Sequence, residues 1–214
     1  MGIGTGIVIV AVALACGANW WARADERRRM ETISKPIATI AIAALALLLA
    51  NDSVTAGARV AASIGFALCL AGDVALLPAV DRFVIGLASF LGGHLAFVAM
   101  FAILGLDRWW LGLGALIGVV VVAATVGRRI VSAARDRQPS LGLPVQVYLT
   151  IISLMAVAGW ATGRPAAIVG SALFVLSDSI LGWRQFIGAQ RWMPVAVMIT
   201  YHGALVGIAL SLAG

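Results

Sequence analysis

Long apolar runs occupy most of this sequence and limit what it can fold into. Eight of them, separated by short segments with charge, glycine or proline, lie near residues 3–20, 36–51, 60–78, 83–106, 111–127, 144–163, 165–183 and 192–213. A helix that crosses a membrane needs about 20 such residues. Hydrophobic residues make up 62% of the chain, against about 45–50% in soluble domains, which excludes a soluble globular protein. We therefore predict an all-α polytopic membrane protein, a bundle of eight transmembrane helices forming one domain over residues 1–214.

The basic residues alternate between the loops in a way that predicts orientation. Loops one, three, five and seven hold twelve of the Lys and Arg residues and the other loops hold three. Because Lys and Arg in short loops favour the cytoplasmic side, both termini are expected on the non-cytoplasmic side of the inner or plasma membrane. The twelve are Arg23, Arg27, Arg28, Arg29, Lys35, Arg82, Arg128, Arg129, Arg135, Arg137, Arg184 and Arg191, and the three are Arg59, Arg108 and Arg164.

The net charge of +6 has a membrane explanation as well. The basic residues are dispersed among loops, where they would contact anionic lipid headgroups, so nucleic acid is not an expected partner. The first apolar run has no basic segment before it and no small-residue cleavage site after it. We therefore expect a retained first span and not a signal peptide.

Only two of the nine acidic residues, Asp73 and Asp178, lie inside predicted spans, and both histidines, His94 and His202, do so too. A carboxyl group inside a membrane costs about 2.5–3.5 kcal/mol, which favours a functional role, with a structural hydrogen bond between helices as the alternative. Each aspartate follows a small residue, and a histidine lies in the next span. A parallel duplication of four spans, or chance in an Ala/Leu-rich chain, would produce this similarity.

These polar residues are expected at similar depths. At the helical rise, Asp73, Asp178 and Tyr148 lie roughly 7 Å from the cytoplasmic ends of their spans and the histidines roughly 15–18 Å from the same face. Lys35 marks the cytoplasmic start of the second span, with Pro36 in its first turn, where proline removes no hydrogen bond. We expect a polar pocket that opens towards the cytoplasmic leaflet.

Two neighbouring carboxyl groups can divide into a protonated and an ionised member, and so supply an acid and a base. Such a pair can protonate an electron-rich ether and direct water onto the oxocarbenium-like centre, as glycosidases do. The sequence has no Gly-x-Ser-x-Gly, glycine-rich phosphate loop or His-Glu-x-x-His motif, the usual signatures of other hydrolase and nucleotide classes. The aspartates and histidines are numerous enough for a metal, but no close-spaced ligand pair supports one. No metal or other cofactor is expected.

Five segments, in order from about residue 30 to the C-terminus, resemble the YhhN/TMEM86 family of lysoplasmalogenases. They are Ser34-Lys35-Pro36, Ala71-Gly72-Asp73-Val74-Ala75-Leu76-Leu77-Pro78, Gly93-His94-Leu95, Gly170-Ser171-Ala172-Leu173-Phe174-Val175-Leu176-Ser177-Asp178 and Tyr201-His202. The resemblance implies a multi-pass hydrolase whose partner is a lysophospholipid substrate in the membrane. It would cleave the vinyl ether of lysoplasmalogens to a fatty aldehyde and glycerophosphoethanolamine or glycerophosphocholine.

The residues and the implied activity agree on one mechanism. We expect Asp73, Asp178 and His94 to be catalytic: one carboxyl group protonates the outer vinyl carbon, the other activates water, and the imidazole relays a proton or orients a carboxyl group. Lys35 is expected to hold the lipid phosphate. The other residues predicted to bind substrate are Tyr148, Ser177, Tyr201 and His202.

Three other functions fit parts of the pattern. Buried Asp and His also suit a proton-coupled transporter, whose sites are expected near mid-membrane. An intramembrane aspartyl protease needs two Asp residues on separate spans, but Leu70-Ala71-Gly72 before Asp73 lacks the first glycine of the Gly-x-Gly-Asp pattern, and no Tyr precedes Asp178. A purely structural or partner-binding membrane protein is the third.

Overall fold

The computed structural model describes residues 3–51 and 54–213, and the regular secondary structure within these ranges is helical. Between α5 and α6, residues Ala123–Gly127 form a π-helical turn, and Pro139–Leu141 form a 3₁₀ turn before α7. The helices are α1 (Ile3–Ala24), α2 (Arg28–Leu49), α3 (Ala56–Ala75), α4 (Phe83–Leu104), α5 (Trp109–Val122), α6 (Arg128–Arg137), α7 (Gly142–Ala161), α8 (Pro165–Phe186) and α9 (Met193–Leu210).

Eight segments of the described chain are long and apolar enough to cross a membrane. The fifth of them, Trp109–Arg137, combines α5, the π-helical turn and α6. The prediction of an all-helical bundle with eight spans is therefore confirmed. The side of the membrane on which the termini lie stays a prediction.

The second helix starts earlier than the sequence predicts. It begins at Arg28, so Pro36 lies inside the helix, and the expectation that this proline occupies the first turn is wrong. The reason is tertiary: the first turns of α2 carry Glu31 and Ser34, which are buried against the end of α1. There Arg23 pairs with Glu31 at 2.7 Å, and Asn19 donates a hydrogen bond to Ser34. Partners on α1 therefore extend α2 beyond its apolar run.

The fifth span is likewise longer than expected. Residues 128–137, predicted as a basic loop, form α6 and continue the line of α5 through the π-helical turn. Ile130 and Ala134, one helical turn apart, are buried in a small apolar cluster with Val145 of α7 and Phe186 of α8. Burial of this apolar stripe stabilises the helical conformation of a strongly basic segment.

Six helices form a closed ring in the order α2, α3, α4, α7, α8 and α9, with α9 packing against α2. Outside the ring, α1 packs on α2 and α9, and the α5–α6 rod packs on α7 and α8. The chain divides into two halves of four spans each, α1–α4 and α5–α9. In both halves consecutive spans pack on one another in the same order, and the halves contact each other where α4 packs on α7 and α9 on α2. A parallel duplication would produce this pattern.

Glycine permits a close helix approach in the second half. On α8 and α9, Gly170 and Gly207 face each other so closely that a Cβ atom on Gly207 would lie 2.6 Å from the Cα atom of Gly170. Real Cβ atoms do not come so near to backbone, and small residues at such crossings are the usual basis of helix packing in membranes. The α8–α9 pair thus depends on the absence of a side chain at this point.

Gly207→Ala is expected to lower the free energy of unfolding by about 1–3 kcal/mol, because the added methyl group forces α8 and α9 apart. Thermal unfolding in detergent measures the effect. Gly118→Ala is the matched control, since a Cβ atom there meets nothing within 4 Å and alanine favours helix. Equal melting temperatures for the two variants would contradict this account of the crossing.

Candidate active site

One end of the bundle, called here the basic end, holds the C-terminal ends of α1, α3, α6 and α8 and the start of the helix that follows each. Inside the ring towards this end, polar side chains form two groups, each centred on one of the aspartates that the sequence singles out. Both groups are assembled from three helices.

The first group surrounds Asp73 of α3. Its Oδ1 atom lies 3.3 Å from the Nζ atom of Lys35, and its Oδ2 atom accepts hydrogen bonds from the hydroxyl groups of Thr39 and Tyr201, the latter at 2.8 Å. Lys35 and Thr39 are one turn apart on α2, and Tyr201 is on α9. The Asp73 side chain is 1% exposed. One cation and two donors thus stabilise a carboxylate that is sealed from its surroundings.

The second group surrounds Asp178 of α8. The Tyr148 hydroxyl group, on α7, donates a hydrogen bond to its Oδ2 atom, and the Nε2 atom of His94, on α4, lies 3.9 Å from the same oxygen. The His94 ring stands edge-on to Tyr148 and Phe174. Neither ring nitrogen of His94 has a hydrogen-bond partner among the described residues. The imidazole is therefore held by ring packing beside a carboxyl group.

The two groups are equivalent in their place in the fold. Asp73 is contacted from α2, which precedes it, and from α9, the last helix of the other half. Asp178 is contacted from α7, which precedes it, and from α4, the last helix of the other half. The Phe174 ring packs against both His94 and Tyr201 and so stands between the groups. Within residues 3–51 and 54–213, no hydrogen bond or ion pair joins the two carboxyl groups directly.

Asp178 lines two cavities. The basic-end cleft lies between α4, α6, α7 and α8, with about 470 Å³ of space that includes its open mouth, and the lateral groove lies between α5, the π-helical turn, α7 and α8, with about 360 Å³ that likewise includes open space. Ile130 and Leu149 line both cavities, together with Asp178 itself. The Asp178 side chain is 10% exposed, and Asp73 lines neither of these two cavities. Of the two carboxyl groups, Asp178 is the one that a bound molecule in them would meet.

The remaining predicted residues lie mostly on the Asp73 side of the ring. Lys35, expected to hold a lipid phosphate, is buried in the ion pair with Asp73. Ser177 is buried and donates a hydrogen bond to the Val197 carbonyl oxygen at 3.2 Å, so it faces α9. Tyr148 stands apart from these, since it lines the basic-end cleft beside Asp178.

His202 has a partner that the sequence did not suggest. Its Nδ1 atom accepts a hydrogen bond of 3.0 Å from the indole Nε1 atom of Trp20, and the two rings are stacked. Because Nδ1 is the acceptor, the proton of a neutral imidazole is on Nε2. Helical spacing could have suggested Thr39 and Phe174, which are one turn from Lys35 and Asp178. Nothing in the sequence pairs Trp20 with His202, 182 residues away.

Metal ligands do not converge in the part of the chain that is described. No three His, Cys, Asp or Glu side chains come together there. His94 and Asp178 form a pair, while Asp73 has the positive charge of Lys35 as its neighbour. An imidazole beside a carboxyl group has the composition of an acid–base site.

Comparison with known proteins assigns the chain to a family. Residues 30–212 match the YhhN family. The chain belongs to the YhhN family. The match begins within α2, so α1 of this YhhN-family chain, with Trp20, lies before it. The resemblance that the five sequence segments indicated is therefore confirmed.

Two curated relatives of this YhhN-family chain carry the name lysoplasmalogenase TMEM86B. The protein of Rattus norvegicus is 28% identical over 147 residues, 69% of this chain and 59% of that protein. The protein of Sus scrofa is 30% identical over 168 residues, 78% of this chain and 70% of that protein. The chain thus spans about three fifths of the rat protein's length. No solved structure matches the chain.

Lys35→Met is expected to lower the free energy of unfolding by about 3–5 kcal/mol, because it leaves the buried Asp73 carboxyl group without its cation. Adding Asp73→Asn in the same chain should recover most of the loss, since the pair is then neutral on both sides. Denaturant unfolding in detergent of the two single variants and the double variant measures the coupling. Additive losses would mean that the two side chains do not depend on each other.

Proposed function

We propose that this YhhN-family chain hydrolyses the vinyl ether bond of lysoplasmalogens, releasing a fatty aldehyde and glycerophosphoethanolamine or glycerophosphocholine, at the cytoplasmic side of the inner or plasma membrane. The observation that carries the proposal is Asp178, a carboxyl group that stands beside an imidazole inside a membrane bundle and lines two mainly apolar cavities. The names of the two relatives support the same substrate class.

The reaction needs a proton and a water molecule at neighbouring carbons. Protonation of the outer vinyl carbon leaves an oxocarbenium-like cation at the carbon bonded to oxygen. Water adds to that carbon and loses a proton, which gives a hemiacetal. The hemiacetal then collapses to the aldehyde and the free hydroxyl group of the glycerol. The step therefore needs one group that gives a proton and then accepts one.

In this proposal Asp178 does both in turn. In its protonated form it donates the proton to the outer vinyl carbon, and as the resulting carboxylate it accepts the proton that the attacking water loses. Tyr148 donates a hydrogen bond to its Oδ2 atom and so orients the carboxyl group. His94, 3.9 Å from the same oxygen and without a direct hydrogen bond to it, is the neighbouring group that passes a proton to and from the carboxyl group through one water molecule.

Asp73 contributes from the other side of the Phe174 ring. We assign it a positioning role: paired with Lys35 and bonded to Thr39 and Tyr201, it holds α2, α3 and α9 together beside the reacting groups. Tyr201 and Phe174 are in ring contact, and Phe174 contacts His94. In this assignment Asp178 is the reacting group and Asp73 is the supporting group.

Asp178→Asn is expected to stop the release of fatty aldehyde from lysoplasmenylethanolamine by the purified protein in detergent, since an amide cannot donate the proton. Thermal stability should stay close to that of the wild type, because the asparagine side chain can still accept from Tyr148. Asp136→Asn, at an exposed position of α6, is the matched control and should keep full activity.

The same assay tests the substrate class. The ester-linked lysolipid should stay intact, because an ester offers no carbon for protonation by this route. A wild-type protein that releases no aldehyde, or an Asp178→Asn variant as active as the wild type, would overturn the proposal.

Tyr148→Phe should lower turnover about tenfold to a hundredfold, because it removes a hydrogen bond to an ionisable group that must hold one orientation. Tyr201→Phe removes the equivalent hydroxyl group from Asp73 and is the matched control, with a smaller loss of turnover and a larger loss of stability. Initial rates and melting temperatures of both variants measure the losses of turnover and of stability. If Tyr201→Phe loses more turnover than Tyr148→Phe, the reacting carboxyl group is Asp73.

A further inference from the structure

The two cavities lead away from Asp178 in opposite directions along the bundle. The basic-end cleft is lined by residues near the basic ends of their helices, among them Phe83 of α4 and Gln185 of α8. The lateral groove is lined by residues farther from that end, among them Val119 of α5 and Ile152 of α7. A molecule that filled both would pass Asp178 at its middle.

The lateral groove offers an almost wholly apolar lining. Apart from Asp178, its polar members are Ser153 and Ser179. Both hydroxyl groups already donate to carbonyl oxygens of their own helices, those of Leu149 and Val175. The lining therefore suits a hydrocarbon chain, which would leave no polar group unsatisfied, whereas a phosphate group there would lose its hydrating water and gain no hydrogen bond from these hydroxyl groups.

The basic-end cleft leads towards positive charge. Gln185, which lines the cleft, has its carbonyl oxygen bonded to the exposed guanidinium group of Arg137 at 2.8 Å. That bond joins the end of α6 to the end of α8, so the positive charge of Arg137 lies near the part of the cleft that is closest to the basic end. An anionic group in the cleft would be attracted towards this position.

The π-helical turn, Ala123–Gly127, forms part of the groove wall. Ala123 and Gly127 line the groove, and Ala123 is exposed on the outside of the bundle, where lipid would lie. A Cβ atom on Gly127 would already be 3.5 Å from the Leu149 side chain, so a larger residue there would narrow the space. Single π turns inside α-helices occur often at functional sites.

We propose that the lateral groove binds the alkenyl chain of the lysolipid and that the basic-end cleft takes its glycerophosphate part, with the vinyl ether held beside Asp178 between Ile130 and Leu149. This orientation of the substrate, called here the seating, rests on the proposed function. It follows from the order of the bonded groups in the substrate, in which the vinyl ether lies between the alkenyl chain and the headgroup. When the vinyl ether is beside Asp178, the chain and the headgroup extend from it in opposite directions. The apolar groove then determines which chain lengths are accepted.

Two consecutive alanines in the π-helical turn provide the test. Ala123 and Ala124 are both exposed, and only Ala123 lines the groove. Ala123→Trp should raise KM for a lysoplasmenylethanolamine with an octadecenyl chain about tenfold, the effect of keeping about two methylene groups out of an apolar site. The octenyl substrate, which does not reach so far, should be turned over within about twofold of the wild-type rate. Ala124→Trp should match the wild type with both.

The outcomes separate the seating from the proposed function. If the wild type releases no aldehyde from either substrate, the proposed function fails. If the wild type is active and the two tryptophan variants behave alike, or if Ala123→Trp loses both substrates equally, the seating is overturned and the proposed function stands. Melting temperatures check folding, and Ala123→Leu with Ala124→Leu replaces the pair if Ala123→Trp does not fold.

A second measurement needs no turnover. A saturated alkyl-ether lysophosphoethanolamine with a diazirine at the tip of its chain cannot be hydrolysed at a vinyl ether, and on illumination it marks the residues around the chain end. Labelling of residues 119–127 is expected. Labelling around Phe83 and Phe186 would place the chain in the basic-end cleft and would overturn the seating.

Discussion

The free-energy cost of a carboxyl group inside a membrane bundle organises the centre of this protein. Neither Asp73 nor Asp178 finds its partners on its own helix. Each is contacted from the helix before it and from the last helix of the other half of the chain. Those contacts cross the two seams at which the halves meet, α2 with α9 and α4 with α7. The two aspartates therefore have their partners only when the six-helix ring is closed.

The two halves use this framework differently. In the first half, a lysine and a threonine on α2 neutralise and cover the aspartate. In the second half, a tyrosine on α7 donates a single hydrogen bond to the aspartate, and an imidazole from α4 of the first half, held by aromatic rings, stands close by. The first arrangement satisfies a charge and seals it. The second leaves a carboxyl group with a free side towards two cavities, as proton transfer to a bound molecule requires.

Much of this follows from local properties of the chain. The apolar runs predict eight spans, because the thickness of the hydrocarbon layer and the helical rise set their length. The aspartates and histidines stand out for an equally local reason, since ionisable groups are costly in lipid wherever the helix lies. Five short segments also suffice to indicate the family, which residues 30–212 confirm.

The pairing of side chains depends instead on which helix faces meet, and that is a property of distant parts of the chain. The early start of α2 depends on Asn19 and Arg23 of α1, and the continuation of α5 into α6 depends on an apolar cluster with α7 and α8. Packing likewise buries Lys35 against Asp73 and leaves Asp178 in the lining of both cavities. Apolar length and the cost of burying charge can be read residue by residue, whereas the choice between two similar carboxyl groups requires the relative rotation of helices in the closed ring.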